Sequence, residues 1–141
     1  MELEPGGVEV WRSRGCEIRQ WSPAAGVLCN RFVGDIAADL TPAALAFLRR
    51  VADGAPHVIA FTDAELVTSY DIVFRVRVML GLQRLHDRLE EIHAFSRSNV
   101  ALTGMRAANL VLGKIVAHAS RQSFEAALAK VVAARTGVCD G

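Results

Sequence analysis

Three short apolar runs in the last two-thirds of the chain each give way to a longer amphipathic run, and that rhythm leaves few folds open. The runs are residues 57–61 (HVIAF), 92–95 (IHAF) and 115–119 (IVAHA). A helical pattern opened by Ser, Thr or Asn follows each of them. Strands that alternate with helices in this way read as units of a parallel sheet, because parallel neighbours need a crossover and a helix supplies it. Such a sheet offers its functional edge at the carboxyl ends of the strands. On that edge, residues 62–71 (TDAELVTSYD) set hydroxyls beside a helix start.

The first third follows a different rhythm. Residues 1–7 read as a flexible N-terminal lead-in. Residues 8–12 (VEVWR) and 16–21 (CEIRQW) alternate apolar and polar around Gly15, as two half-buried hairpin strands do. A turn cluster, SPAAG, separates them from residues 27–33 (VLCNRFV), a third strand. The expectation is an antiparallel meander, with residues 34–40 leaving it.

Four helices are expected. Thr41 before Pro42 reads as an N-cap followed by proline in the first turn, and Gly54 with Pro56 ends that helix. Residues 72–89 are ambiguous: FRVRV at 74–78 alternates like a strand, whereas Val78, Leu82, Leu85 and Leu89 keep helical spacing. The need for a crossover favours a helix throughout. More than one face of that helix is apolar. Ser98 or Asn99 opens a third helix ended near Leu112 by Gly113, and Ser120 opens a fourth, with Phe124, Leu128, Val131 and Val132 facing inward and Gly137 stopping it. The organisation expected is a lead-in over 1–7, one domain over 8–137, and a frayed tail over 138–141.

Composition narrows the function classes. A chain of 141 residues buries enough surface to fold without disulfide or metal. Net charge is +1, so no global field draws it to nucleic acid. No apolar run is long enough to span a bilayer, and the acidic start MELEPGGVEV is unlike a secretory signal. Three cysteines without a CxxC spacing fit a reduced, cytoplasmic chain. The expectation is no cofactor, no metal, no nucleic-acid partner and no stable membrane insertion.

The order strands, helix, strand, helix, strand, helix, strand, helix runs over roughly residues 8–135. With the stretches FVGDIAADLTPAALAFL, HVIAFTDAELVTSYDIVFRVRVML and IVAHASRQSFEAAL, it resembles the SpoIIAA-like fold of STAS domains, the anti-sigma-factor antagonist superfamily. It is also similar to the SpoIIAA-like proteins grouped with the lipid-binding CRAL-TRIO folds. The resemblance implies an α/β fold, a mixed sheet with an N-terminal antiparallel meander and C-terminal parallel strand–helix units. Phospho-regulated members carry Asp-Ser-Ser/Thr-Gly at the start of the second helix, where a partner kinase phosphorylates the hydroxyl. The matching stretch is VTSYDI at 67–72: Ser69 stands at the acceptor, Thr68 in place of the Asp, Tyr70 after it, and Asp71 where the Gly would be.

Thr68, Ser69 and Tyr70, with Asp63 and Asp71 nearby, are thus the candidate phosphoacceptor or docking residues. The plainer reading of Thr68 and Ser69 is helix capping, and the neighbouring carboxylates would repel a phosphate. Arg77, Arg84 and Arg88 form a candidate basic face, or merely the solvated side of an amphipathic helix. His93 and His118 fall in consecutive expected strands, where a neighbouring pair would titrate near neutral pH. The leading expectation is a non-enzymatic, cytoplasmic protein-interaction module. The resemblance implies a kinase-type anti-sigma factor as its partner, and a homodimer is an open alternative. The second is a small apolar-ligand or lipid carrier of CRAL-TRIO-like type. An enzyme would need a polar pocket built from His93, Asp63 or Ser69.

Overall fold

Seven strands form one sheet whose spatial order follows the chain, β1 to β7. The computed structural model describes residues 1–137; the expected frayed tail over 138–141, with Cys139, lies outside the described residues. Strands β1 (Glu2–Glu4), β2 (Val8–Ser13), β3 (Cys16–Trp21) and β4 (Val27–Ile36) make an antiparallel meander. Strands β5 (Val58–Tyr70), β6 (Leu89–Phe95) and β7 (Ile115–His118) continue from β4 in parallel. The crossovers are α1 (Thr41–Asp53), α2 (Ile72–Arg84) and α3 (Asn99–Leu112), and α4 (Arg121–Thr136) follows β7. This is the α/β mixed sheet expected from the sequence.

Local chemistry sets the joints. Ser13 pairs with Cys16, so Arg14 and Gly15 alone make the β2–β3 turn, both at positive φ. That is the handedness a two-residue hairpin needs. Gly26 sits at φ +74°, and a Cβ there would lie 2.3 Å from the His57 carbonyl, so only glycine lets β4 start beside β5. Ser98 and Ser120 cap α3 and α4 through the N–H groups of Ala101 and Ser123, and Gly113 and Gly137 end them in left-handed conformation, as the sequence suggests.

Alternation along the central strands divides the core in two. Leu28, Val58, Ala60 and Ile92 face α1, α2 and α3, meeting Phe47, Leu48, Val51 and Leu112. Val27, Cys29, Ile59, Phe61 and Phe95 face the other way, against Phe124, Leu128 and Val131 of α4. A third cluster, Ile18, Phe32, Ile36 and Phe74, fixes the start of α2 on the meander. Cys16 and Cys29 are free and buried; burial pushes the Cys29 thiol up to about 12, as befits an inert core residue.

Five expectations need correction. The lead-in contains β1, with Glu2 to Glu4 paired to Val10 to Val8 and Arg12 bridging to Glu2. Thr41 does not cap α1: a 3-10 turn over Ala38–Leu40 precedes the helix, and the Thr41 hydroxyl donates back to the Ala38 carbonyl at 2.7 Å. Residues 34–36 stay in β4. The strand expected over 57–61 does not end there; residues 62–70 prolong β5, because β4 runs on beside it and pairs with it through Ile36 and Tyr70. The second helix stops at Arg84, and Leu89 opens β6 fully buried.

Candidate functional site

The long β4–β5 ladder outruns β6, whose last pairing is Phe95 with Asp63. Beyond that point β5 has a strand on one side only. At its tip the register slips between Gly34 and Asp35, so that Gly34 pairs with Val67 and Asp35 with Ser69. The bulge leaves Thr68 as the extra residue and turns both hydroxyls to one carboxylate. Thr68 donates to Asp35 Oδ1, and Ser69 donates to the same atom at 2.8 Å. These two bonds, Thr68 first, hold the Asp35 carboxyl below its usual range.

Capping therefore falls to a different residue. Asp71 caps α2, its Oδ1 accepting from Val73 N–H at 2.8 Å, while Thr68 and Ser69 remain in the strand and exposed. Tyr70 turns inward, stacked on Phe74 and edge-on to Phe32, and burial raises its hydroxyl pKa. Asp63 is not part of this group. It is buried on the α4 side, bonded to Arg121 at 3.0 Å, and Arg121 also reaches Glu65 at 3.3 Å. Thr68, Ser69, Tyr70 and Asp71 are brought together at the β5–α2 junction; Asp63 is not.

The basic face divides as well. Arg77 and Arg84 are exposed on α2. Arg88 lies beyond the helix and donates to the Ala52, Ala55 and Pro56 carbonyls, closing the C-terminal end of α1. What accompanies the arginines is apolar. Ile72 is 66% exposed, and Val73, Val76 and Leu80 are close to half exposed, with Leu66 of β5 beside the same junction in the chain. On α3, Val100, Leu110 and Val111 are exposed too. Neither helix contains a carboxylate.

On the α4 side, the histidine neighbours expected from the sequence do meet. His93 Nδ1 lies 2.8 Å from His118 Nε2. The chain of bonds continues at both ends, from His93 Nε2 to Glu91 Oε1 at 3.3 Å and from His118 Nδ1 to Ser123 Oγ at 2.6 Å. Phe61 stacks on His93 at 4.5 Å, and Phe124 stands edge-on to His118. Burial, and after it the neighbouring His93, lowers the His118 pKa. Glu91 and Ser123 escaped the sequence reading. Their one signal is spacing, two residues before His93 in a strand and five after His118 across a capped helix start. Asp35 left no signal at all, since its partner is set by a bulge. Among the described residues, no group of three or more His, Cys, Asp and Glu side chains is arranged to hold a metal ion, and no helix is long and apolar enough to cross a membrane.

Comparison with solved structures decides the architecture. The chain matches the crystal structure of an uncharacterized protein from the DUF3478 family with a SpoIIAA-like fold, from Shewanella loihica PV-4. The match has a TM-score of 0.61 at 12% identity and covers 83% of this chain and 88% of that one. The fold is SpoIIAA-like. No family model matches the sequence, and no curated protein matches it significantly. The Glu91–His93–His118–Ser123 chain lies on the opposite face of the sheet from α2.

Proposed function

We propose that this SpoIIAA-like chain is a non-enzymatic, cytoplasmic regulatory module of STAS type that docks a protein partner through α2 and the β5–α2 junction. One observation carries the reading: α2 turns Ile72, Val73, Val76 and Leu80 to solvent, ringed by Arg75, Arg77 and Arg84, with no acidic side chain within the helix. Exposed apolar area of that kind is costly to keep in water and is what interfaces bury. Arginines at its margin select an acidic partner surface and speed encounter with it. A kinase-type anti-sigma factor with an acidic rim fits, and a second copy of the chain is the competing occupant. The free, buried Cys16 and Cys29 support a reducing compartment.

Ser69 supplies the switch in this reading. Its hydroxyl is exposed and shares Asp35 with Thr68. A phosphate there would face the Asp35 carboxylate, which it repels, and would loosen the tip of β5 beside the α2 cap. The carrier alternative has less behind it. Ile72, Val73, Val76 and Leu80 of α2 point outward, and two open clefts lie away from them, one of about 420 Å³ at the β2–β3 hairpin and one of about 250 Å³ beside Phe47 and Gly26.

The test is affinity capture from the host cell with wild-type and V76E/L80E chains, followed by measured affinity for the captured partner. The double substitution is expected to weaken binding roughly tenfold or more, and Ser69→Asp to shift it without unfolding the chain. Equal affinities for wild type and V76E/L80E would remove the α2 surface from the proposal. Sedimentation velocity of the purified chain separates the second copy from a foreign partner.

A further inference from the structure

The bonded chain Glu91–His93–His118–Ser123 has a proton order that chemistry fixes. An ionised Glu91 only accepts, so His93 Nε2 carries the hydrogen. A neutral His93 then accepts at Nδ1, which makes His118 Nε2 the donor across the 2.8 Å contact. His118 Nδ1 is left as the acceptor, and Ser123 Oγ, 2.6 Å away, must donate to it. Every bond points one way, from the serine hydroxyl to the carboxylate. The two imidazoles are buried, whereas Ser123 is exposed and Glu91 half exposed, so the serine end meets solvent and the base behind it does not.

We propose that Ser123 is a nucleophilic hydroxyl that accepts an acyl group from an activated carboxylic ester or thioester. The arrangement matches what an activated serine requires: a base in hydrogen-bond reach, oriented by a further group. In the step, Ser123 Oγ attacks the carbonyl carbon and its proton passes to His118 Nδ1. The imidazolium so formed is stabilised through His93 by Glu91. The bond from carbonyl carbon to the leaving oxygen or sulfur then breaks, the leaving group takes the proton, and an acyl ester remains on Ser123. No oxidant or reductant enters. Stacking by Phe61 and packing by Phe124 keep water from the imidazoles. Burial keeps His118 neutral, and so able to accept, at neutral pH.

This goes beyond the docking reading and involves the other face of the sheet. The experiment treats the full chain with p-nitrophenyl acetate near neutral pH, follows nitrophenolate release, and maps acetyl groups by peptide mass spectrometry. The expected result is a burst of one equivalent with acetyl on Ser123, lost in Ser123→Ala. Replacing the base, His118→Gln, is expected to slow acetylation about a hundredfold. Because His118 is packed and the variant can unfold, Glu91→Gln at the exposed end is the companion; it is expected to slow acetylation while leaving the circular dichroism unchanged. Acetylation elsewhere on the folded chain with Ser123 unlabelled, or equal rates in wild type and Glu91→Gln, overturns the proposal. A burst followed by continued turnover supports it and makes the chain an esterase as well as a docking module, while partner affinity keeps its own test.

Discussion

Helices α1 and α2 have thirteen residues each and lie in contact on the same face of the sheet, yet they use their apolar residues in opposite ways. Helix α1 buries Ala43, Phe47, Leu48, Val51 and Ala52 and turns Arg49, Arg50 and Asp53 outward. Helix α2 has only one fully buried residue, Phe74, with Val78, Met79 and Leu82 partly covered, while Ile72, Val73, Val76 and Leu80 stay exposed. Folding alone explains the first helix completely. It does not explain Ile72, Val73, Val76 and Leu80, which lie outside the three buried clusters of the single chain. The excess on α2 is the surface the proposed docking would use, and the comparison can be tested from either side.

The largest expected effect comes from removing the residue that anchors each helix. Phe47→Ala and Phe74→Ala should each cost about 3–5 kcal/mol, the usual loss for emptying an aromatic site in a packed core. Urea denaturation measures both. If Phe74→Ala costs less than about 1 kcal/mol, then α2 is held by something other than its one buried side chain and the contrast fails. On the exposed side the ranking inverts. V76E/L80E, which should weaken partner binding, is expected to change stability by about 1 kcal/mol or less, because half-exposed side chains give up little burial. A large loss of stability there would make the α2 face part of the fold rather than a surface for another molecule.

The α4 face of the sheet carries an acid response of its own. His118 has a folded pKa below its ordinary 6.5, so the unfolded chain binds a proton more readily than the folded one. The stabilisation is present above pH 6.5 and is lost as pH falls from there through the lower, folded pKa. Glu91 opposes this by favouring the charged ring, and His93 and Ser123 complete its surroundings. The expectation is an acid limb in the stability profile that starts near pH 6.5 and is flattened in His118→Gln. An unchanged limb would place the acid sensitivity elsewhere.

How far the sequence reached depended on the range of the interaction. The strand–helix rhythm, the caps at Ser98 and Ser120 and the stops at Gly113 and Gly137 were legible because each depends on neighbours a few residues away. The helix over 72–84 was legible despite the strand-like FRVRV, because a parallel connection demanded it. The β5–α2 junction was not. Whether residues 62–70 form a loop or a strand depends on whether a partner strand is present, and β4, some thirty residues earlier, decides that. The same long-range pairing gives Thr68 and Ser69 to Asp35 and leaves the capping to Asp71. Arg88 followed the helical spacing of Arg77 and Arg84, but Leu89 is drawn into the core as the start of β6, which ends the helix first. His93 and His118 were legible as possible neighbours because they fall in consecutive strands; in register His93 lies opposite Val116 and His118 opposite Phe95, which leaves both rings on one face, whereas Ser123 depends on the turn after β7.

The smallest expected effect lies where α1 and α2 touch. A Cβ on Gly81 would stand 2.9 Å from Leu45 Cδ2 and 3.5 Å from Leu48 Cδ2. The nearer atom is the end of a flexible side chain, so it can move by the few tenths of an ångström required. Against that small strain stands the helical preference of alanine over glycine, about 1 kcal/mol. Gly81→Ala should thus leave stability within about 1 kcal/mol of wild type. Gly81→Val adds two methyl groups to the same gap and a less helical residue, and should be clearly destabilising by comparison. If Gly81→Ala instead costs more than about 2 kcal/mol, the two helices cannot part even slightly. The position of α2, with its outward apolar face, would then be set rigidly by α1 rather than chiefly by Phe74.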